Sequence, residues 1–372
     1  MSEPGQSPRV TVSVFGLTDM GKVRTNNEDA LLISNLADAA GSPAESTAPA
    51  EVRTFEAGEH AVLLAVSDGM GGADAGEVAS ALVVESLRRA MSEAGGKLDW
   101  NEATKHAVEA ANREVWSAAR APGRRGMGAT VTAVCLQGAH AHIAEVGDSR
   151  AYLLRNARIR QVTRDQSFVQ YLVDAGALKP EEAASYPMKN VVLQAMGQKP
   201  DVQVALGRLE LRRGDKLLLC SDGLSGKLSG EEMLARVQQA PSLEAACHAL
   251  VDLANARGGE DNITVVLARV DGEGLSVPKE QESLTQTFQI LAEYKAAGAS
   301  LAASGSDDDD LADDDPPDPA LAAAPAPTAP VAAPPTGDPR ERLATGVDGQ
   351  LIAAAVVVGL VVGALVLLLQ RL

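Results

Sequence analysis

Four apolar runs in this chain each lead into or out of an aspartate set among glycines and small polar residues. They are AVLLAVSDGMGG (Ala61–Gly72), AHIAEVGDSR (Ala141–Arg150), DKLLLCSDGL (Asp215–Leu224) and GGEDNITVVLARV (Gly258–Val270). A fifth segment, RTNNEDALLI (Arg24–Ile33), puts Glu28 and Asp29 at the head of another apolar run. Carboxylates at strand mouths from so many separate segments have one economical joint use, an oxygen-ligand metal site. Two carboxylates about 4 Å apart repel by about 4 kcal/mol at an effective dielectric of roughly 20. Four or more therefore converge only where divalent cations offset the repulsion. No histidine or cysteine is spaced for zinc, and all-oxygen ligation favours Mg²⁺ or Mn²⁺. Any one of these aspartates could simply start a turn; the set together reads as a site.

The elements that must position them are legible in outline. Strand-like runs fall at about 10–16, 29–35, 61–67, 129–136, 140–147, 150–155, 217–221 and 263–270. Between the third and fourth, Val78, Leu82, Val83, Leu87 and Met91 recur at helical spacing, as do Ala103, Ala107, Val108, Ala111, Val115 and Ala118. A further helix is expected at Leu243–Ala256, and residues 36–59 read as a surface loop. Strands in hairpin-like pairs with helices grouped between them argue for a layered α+β domain rather than a βαβ repeat. Residues 168–200 suit a flap over the site, with helices at Val169–Ala175 and from Pro180 to Ala184, since proline is tolerated in a first helical turn.

The charge is uneven. The net is −17, but residues 271–350 hold 16 Asp/Glu against 4 Lys/Arg, whereas residues 1–270 hold 34 against 28. The domain over residues 9–270 is thus mildly acidic, which leaves no basic footprint for nucleic acid. Cys135, Cys220 and Cys247 suggest no disulfide framework and fit a reducing compartment. The start of the chain lacks the apolar core of a signal peptide, so the domain is expected in the cytosol. Residues 280–296 suit a weak amphipathic helix through Leu284, Phe288, Leu291 and Tyr294. The rest of 271–350 is acidic, rich in Pro and Ala, and reads as a disordered linker. Leu351–Leu369 then gives 19 apolar or small residues without a charge. At 1.5 Å per residue that is about 28 Å, enough to cross a bilayer. A single-pass anchor at the cytoplasmic face of the membrane is expected.

Taken in order, R-T-N-N-E-D, D-G-M-G-G, G-D-S-R, S-D-G-L and E-D-N resemble the metal-dependent (PPM, type 2C) protein serine/threonine phosphatases, in their bacterial branch. Each motif alone is weak; the ordered set over residues 9–270 is specific. The resemblance implies a four-layer α-β-β-α sandwich with two central, mostly antiparallel sheets. It implies two and up to three Mn²⁺ or Mg²⁺ ions per domain. Asp68 would bridge two of them with the Gly69 carbonyl completing a shell, Asp222 and Asp261 would hold the first, and Glu28 and Asp29 the second. Asp148 with Asp222 would form a third, weaker position. Arg24 would clamp the phosphate through bidentate hydrogen bonds. The implied catalytic set is Arg24, Asp68 and Asp222, acting in one in-line displacement by solvent activated between two ions ~3.5–4 Å apart. The implied partners are phosphorylated proteins, that is, serine/threonine kinases and their substrates, acted on by a monomeric catalytic domain.

Three departures stand out. Met70 occupies a position where many eukaryotic relatives carry a histidine, and it cannot donate a proton. Gln166 replaces the histidine of a T-x-D-H-S motif within Thr163–Ser167. The G-x-T/A-T motif appears as Gly126-Met-Gly128-Ala-Thr130, expected to be structural. The alternative of a catalytically inactive domain serving as a membrane-tethered binding or sensing module would be favoured by a missing ligand. Asp68, Asp148, Asp222 and Asp261 are all present.

Overall fold

A computed structural model of the chain describes residues 9–37, 51–58, 60–71, 75–94, 97–124, 126–183 and 185–296. The acidic linker beyond 296 and the apolar segment Leu351–Leu369 lie outside the described residues. Among the described residues no helix is long and apolar enough to cross a membrane.

The chain opens with β1 (Thr11–Asp19), β2 (Asp29–Asn35), β3 (Arg53–Glu56) and β4 (Val62–Met70). Two helices follow, α1 (Ala75–Ala94) and α2 (Trp100–Ala118), then β5 (Gly128–Ala129), β6 (Val131–Gln137), β7 (His140–Val146), β8 (Arg150–Arg155) and β9 (Arg158–Gln161). The flap carries α3 (Phe168–Asp174) and α4 (Pro180–Ala183). Next come β10 (Ala205–Glu210), β11 (Lys216–Cys220), α5 (Asp222–Ser225), α6 (Gly230–Gln239), α7 (Leu243–Ala256), β12 (Ile263–Asp271) and β13 (Phe288–Ala292).

The strands form two antiparallel sheets, ordered β3-β1-β12-β11-β8-β9 and β13-β10-β7-β6-β4-β2. Side-chain alternation along each strand divides the apolar residues into three layers. Val14, Leu31, Leu64, Val66, Val134, Leu153, Leu219 and Val266 fill the space between the sheets. On the outer face of the second sheet, Leu32, Leu63, Ala65 and Ala133 pack against Val83, Leu87 and Met91 of α1 and Val108 and Val115 of α2. On the outer face of the first, Phe15, Leu218, Val265 and Leu267 meet Met233 and Val237 of α6 and Leu250 and Val251 of α7. The result is the expected α-β-β-α stack. A sheet buried on both faces shows as a continuous apolar run, which is why 61–67 and 263–270 were readable as strands.

Local signals set the helix ends. Asp99 caps α2 by accepting the Asn101 N–H at 2.9 Å. Ser229 and Glu232 form a reciprocal capping box at the start of α6. Ser242 caps α7, accepting from the Ala245 N–H at 3.1 Å.

The structure differs from the sequence reading at two surface segments. Part of the expected loop 36–59 is a strand, β3, which pairs with β1. The helix expected over 280–296 is absent; β13 instead pairs with β10 and closes the edge of the second sheet. Leu284 and Phe288 do pack on the inter-sheet core, but Leu291 is 40% exposed, so the apolar residues do not make one helical face. The open edge of β10 supplies backbone partners that a solvated helix would lack.

This extension is pinned by a buried ion network. Arg155, whose side chain is fully buried, donates from Nε to Asp215 Oδ1 at 2.7 Å and from Nη2 to Asp215 Oδ2 at 2.6 Å. Its Nη1 donates to Thr287 Oγ1 at 2.8 Å and approaches Glu282 Oε2 at 3.5 Å. Arg212 holds Glu282 from the other side at 3.0 Å. The folded domain therefore continues past residue 270. A fragment ending at 270 is expected to be about 3 kcal/mol or more less stable than one ending at 296, because it strips partners from a buried charge. Equal urea midpoints for the two fragments would show that the extension contributes nothing.

Candidate active site

Each acidic residue of the five motifs sits where a strand begins or ends. Glu28 and Asp29 open β2, Asp68 lies near the end of β4, and Asp148 sits in the turn between β7 and β8. Asp222 begins α5 just after β11, and Asp261 precedes β12. The register makes Asp29 and Asp68 cross-strand partners. These ends line one cleft of about 470 Å³, walled by Arg24, Glu28, Asp68, Gly69, Asp148, Asp222 and Asp261 together with Met70, Thr130, Asn190 and Val192. Asp29 is not on that wall. Its Oδ2 accepts hydrogen bonds from Ser221 Oγ at 2.7 Å and Thr264 Oγ1 at 2.6 Å, while its Oδ1 is buried without a partner.

Glycines allow the close approaches this needs. A Cβ on Gly69 would lie 2.1 Å from the Gly76 carbonyl oxygen and 2.5 Å from that of Glu28, so only glycine lets β4 lie between them. A Cβ on Gly223 would lie 1.9 Å from the Asn262 carbonyl oxygen, which fixes the residue after Asp222.

The electrostatics are those of crowded acids. Burial of its carboxyl and the nearby Asp29, Asp222 and Asp148 push Asp68 well above the usual carboxylate range. Burial, with Asp222 adding, raises Asp148 to about 7. Burial raises Asp29 to about 7 in spite of its two hydroxyl partners. Asp222 is also raised, by burial and then by Asp261, and its Oδ1 is buried without a partner. Arg24 answers only part of this charge. Its Nη2 lies 2.9 Å from Asp261 Oδ1 and 3.0 Å from Oδ2, and the pairing keeps it protonated against the cost of its burial.

Among the described residues no three His, Cys, Asp or Glu side chains close around a single point. Several of the carboxylates are engaged by partners of their own: Asp261 by Arg24, Asp29 by Ser221 and Thr264, and Glu28 by the Asn26 amide at 3.3 Å. Even so, oxygen donors with orphaned buried atoms and raised pKa values are what a hard divalent cation would satisfy.

Several further residues, most of them inside motifs already named, carry no acid and position those that do. Asn262, 3% exposed, accepts the Glu28 N–H at 2.8 Å and donates to the carbonyls of Met20 at 3.0 Å and Asn26 at 2.9 Å. It thereby fixes the loop bearing Arg24 beside Asp261. Thr130 accepts the Asp68 N–H at 3.0 Å, and its own N–H donates to the Asp68 carbonyl at 2.8 Å. The Gly126–Thr130 segment thus braces Asp68, with β5 paired to Gly69 and Met70. Arg150 of G-D-S-R grips Asp165 through Nε–Oδ1 at 2.9 Å and Nη2–Oδ2 at 2.6 Å. Asn190 and Val192 come from the flap and had no signal in the sequence beyond their place in it.

Residues 51–267 match the family model described as protein phosphatase 2C. Over 259 residues the chain is 39% identical to the serine/threonine protein phosphatase PstP of Mycobacterium tuberculosis, covering 68% of this chain and 44% of that protein. It is 36% identical over 261 residues to protein phosphatase PhpP of Streptococcus pneumoniae, covering 69% of this chain and 97% of that protein. This chain belongs to the protein phosphatase 2C family. The crystal structure of M. tuberculosis PstP/Ppp aligns with a TM-score of 0.59 at 38% identity, over 70% of this chain and 99% of that one. The catalytic domain of PstP in complex with two manganese ions aligns with a TM-score of 0.57 at 36% identity, again over 70% and 99%. The match spans less than half of the full mycobacterial relative.

Within this phosphatase fold, Asn262→Ala is expected to cost about 2 kcal/mol, because it strips partners from one backbone N–H and two carbonyls. It should also speed amide exchange over residues 20–28. Protection of that loop unchanged from the parent chain would refute the clamp.

Proposed function

We propose that the domain hydrolyses phosphoserine and phosphothreonine in proteins, with Mn²⁺ or Mg²⁺ as cofactor, and so reverses serine/threonine kinase signalling. The observation that carries this reading is the gathering of Arg24 with Glu28, Asp68, Asp148, Asp222 and Asp261 around one cleft. Its support is the family itself, of which the mycobacterial relative is named a serine/threonine protein phosphatase and the streptococcal one a protein phosphatase.

Asp68 would be shared by two ions, with the Gly69 carbonyl completing a shell; Asp222 and Asp261 would hold the first, Glu28 and Asp29 the second, and Asp148 with Asp222 a third and weaker one. The unpartnered Oδ1 atoms of Asp29 and Asp222 fit that assignment. When bound, divalent ions supply Lewis acidity at phosphorus and lower the pKa of solvent water. The chain's own contribution is placement. Arg24 offers a planar pair of donors to two phosphoryl oxygens and offsets charge as the alkoxide leaves. Asp261, its partner, keeps it charged and aimed.

A covalent thiol route is at odds with the geometry. All three cysteines are buried and free, and burial pushes Cys220 and Cys247 up to about 12. No thiolate is available as nucleophile. The buried thiols also fit a reducing compartment. Together with the uncharged stretch Leu351–Leu369 they support a domain tethered at the cytoplasmic face of a bacterial membrane, acting on phosphorylated kinases and their substrates nearby.

Asp68→Asn and Asp222→Asn are each expected to lower turnover of a phosphothreonine peptide by about a hundredfold to a thousandfold, the range set by removing a main electrostatic element of such a site. The parent chain should lose activity in EDTA and regain it with Mn²⁺. Near-parental turnover of either variant at saturating Mn²⁺ would rule out the assignment. Deleting residues 345–372 should move active enzyme into the soluble fraction. Continued sedimentation with membranes would contradict the anchor.

A further inference from the structure

The glutamine that departs from the family motif makes three side-chain hydrogen bonds at the base of the flap. Gln166 is 2% exposed. Its Oε1 accepts from the Gly147 N–H at 3.0 Å and from Gln194 Nε2 at 2.9 Å, and its Nε2 donates to the Glu145 carbonyl at 3.1 Å. Its backbone N–H donates to the Gly147 carbonyl at 2.8 Å, and its carbonyl accepts the Leu193 N–H at 2.7 Å. Backbone partners fix which end of the amide is which, since an N–H only donates and a carbonyl only accepts. Gln194 is oriented in the same way. Its Oε1 accepts the Gln203 N–H at 2.8 Å and its Nε2 also donates to the Gln203 carbonyl at 2.9 Å.

Three segments meet on this one side chain. The first is the turn that leads into Asp148, the second the flap entry at Gln166–Ser167, and the third the flap exit at Leu193–Gln194. Entry and exit are further joined by a bridge between Ser167 and Val192 and by the Phe168 N–H donating to the Val191 carbonyl at 2.8 Å. The flap exit carries Asn190 and Val192 on the wall of the cleft. A neutral imidazole has one donor and one acceptor, so a histidine could hold Glu145 and Gly147 but would have no second lone pair for Gln194. The link to the flap exit is what glutamine adds.

We propose that Gln166 is a positioning residue that locks the two ends of the flap to the turn bearing Asp148, so that the flap grips a protein substrate as one unit with that acid. The proposal rests on the cleft being the catalytic site. It predicts that the clasp matters more for extended substrates, which reach past the cleft wall along the flap, than for a small aryl phosphate held at the cleft alone.

The test uses the full-length chain with Gln166→Leu, Gln194→Leu and Gln166→His, measured at pH 8. Amide hydrogen exchange over residues 186–195 is read against the two sheets. Steady-state kinetics with Mn²⁺ compare a phosphothreonine peptide with p-nitrophenyl phosphate. Both leucine variants should speed exchange in 186–195 by about tenfold, roughly one lost hydrogen bond, with the sheets unchanged. They should raise the peptide KM by about tenfold while p-nitrophenyl phosphate turnover stays within about twofold. Gln166→His should fall between parent and leucine. Gln194→Leu decides the matter if Gln166→Leu does not fold. Unchanged exchange at the flap, exchange raised evenly across the domain, or equal losses on both substrates would overturn the proposal. A parent chain inactive on both substrates would overturn the catalytic reading alone, and the exchange result would then decide the clasp.

Discussion

Mutual repulsion among carboxylates is the constraint that the rest of this domain is built to withstand. Asp29, Asp68, Asp148 and Asp222 all carry pKa values pushed upward by burial and then by neighbouring carboxylates, Asp261 among them. Left to local preference, chains bearing them would separate. They stay together because β2, β4, β11 and β12 are committed elsewhere by apolar layers on both faces of each sheet. Burying a single leucine or valine contributes about 1.5–3 kcal/mol, and each of these strands buries several. The core thus over-determines the positions of the strand ends, and the acids go where the strands put them.

Fine positioning falls to uncharged polar side chains. Asn262 spans three backbone groups, Thr130 holds both backbone groups of Asp68, and Ser221 with Thr264 fixes one oxygen of Asp29 and leaves the other unpartnered. Such groups suit the task because they orient a carboxylate without neutralising it. An arginine in place of Thr264 would hold Asp29 more tightly and cancel the charge that a cation needs to find. This is the physical sense in which the surrounding shell tunes a site of this type.

The acids themselves were legible in the sequence because each stands at the end of an apolar run beside a glycine, a pattern that local reading detects. The central strands were legible for the same reason. β9, β10 and β13 were not, because RIRQ, ALGRLE and FQILA lie toward sheet edges and mix polar with apolar residues. The helix α6 has too short an apolar pattern to stand out by periodicity, and its sequence signal is instead the capping box spelled by Ser229 and Glu232. Asn262, Thr130, Ser221 and Thr264 belong to a different class. Their importance lies in partners 62 to 242 residues away, and no local pattern encodes that.

Two charged assemblies in the domain show what separates structure from function. Around Asp215 the chain supplies its own cation: Arg155 reaches both carboxylate oxygens, and the Arg212 N–H adds a further bond at 2.7 Å. Every oxygen there has a partner, and the network serves to hold the 282–292 segment in place. Around Asp68 the only cation on the cleft wall among the described residues is Arg24, and it is engaged by Asp261. Two buried carboxylate oxygens, on Asp29 and Asp222, are left without donors. Repulsion of the same kind is answered from within the chain in one place and left unanswered in the other. Unsatisfied negative charge at a cleft, held there by an unyielding core, is a standing demand for cations from solution. It is also what gives those cations a fixed place from which to act on a phosphoryl group beside Arg24.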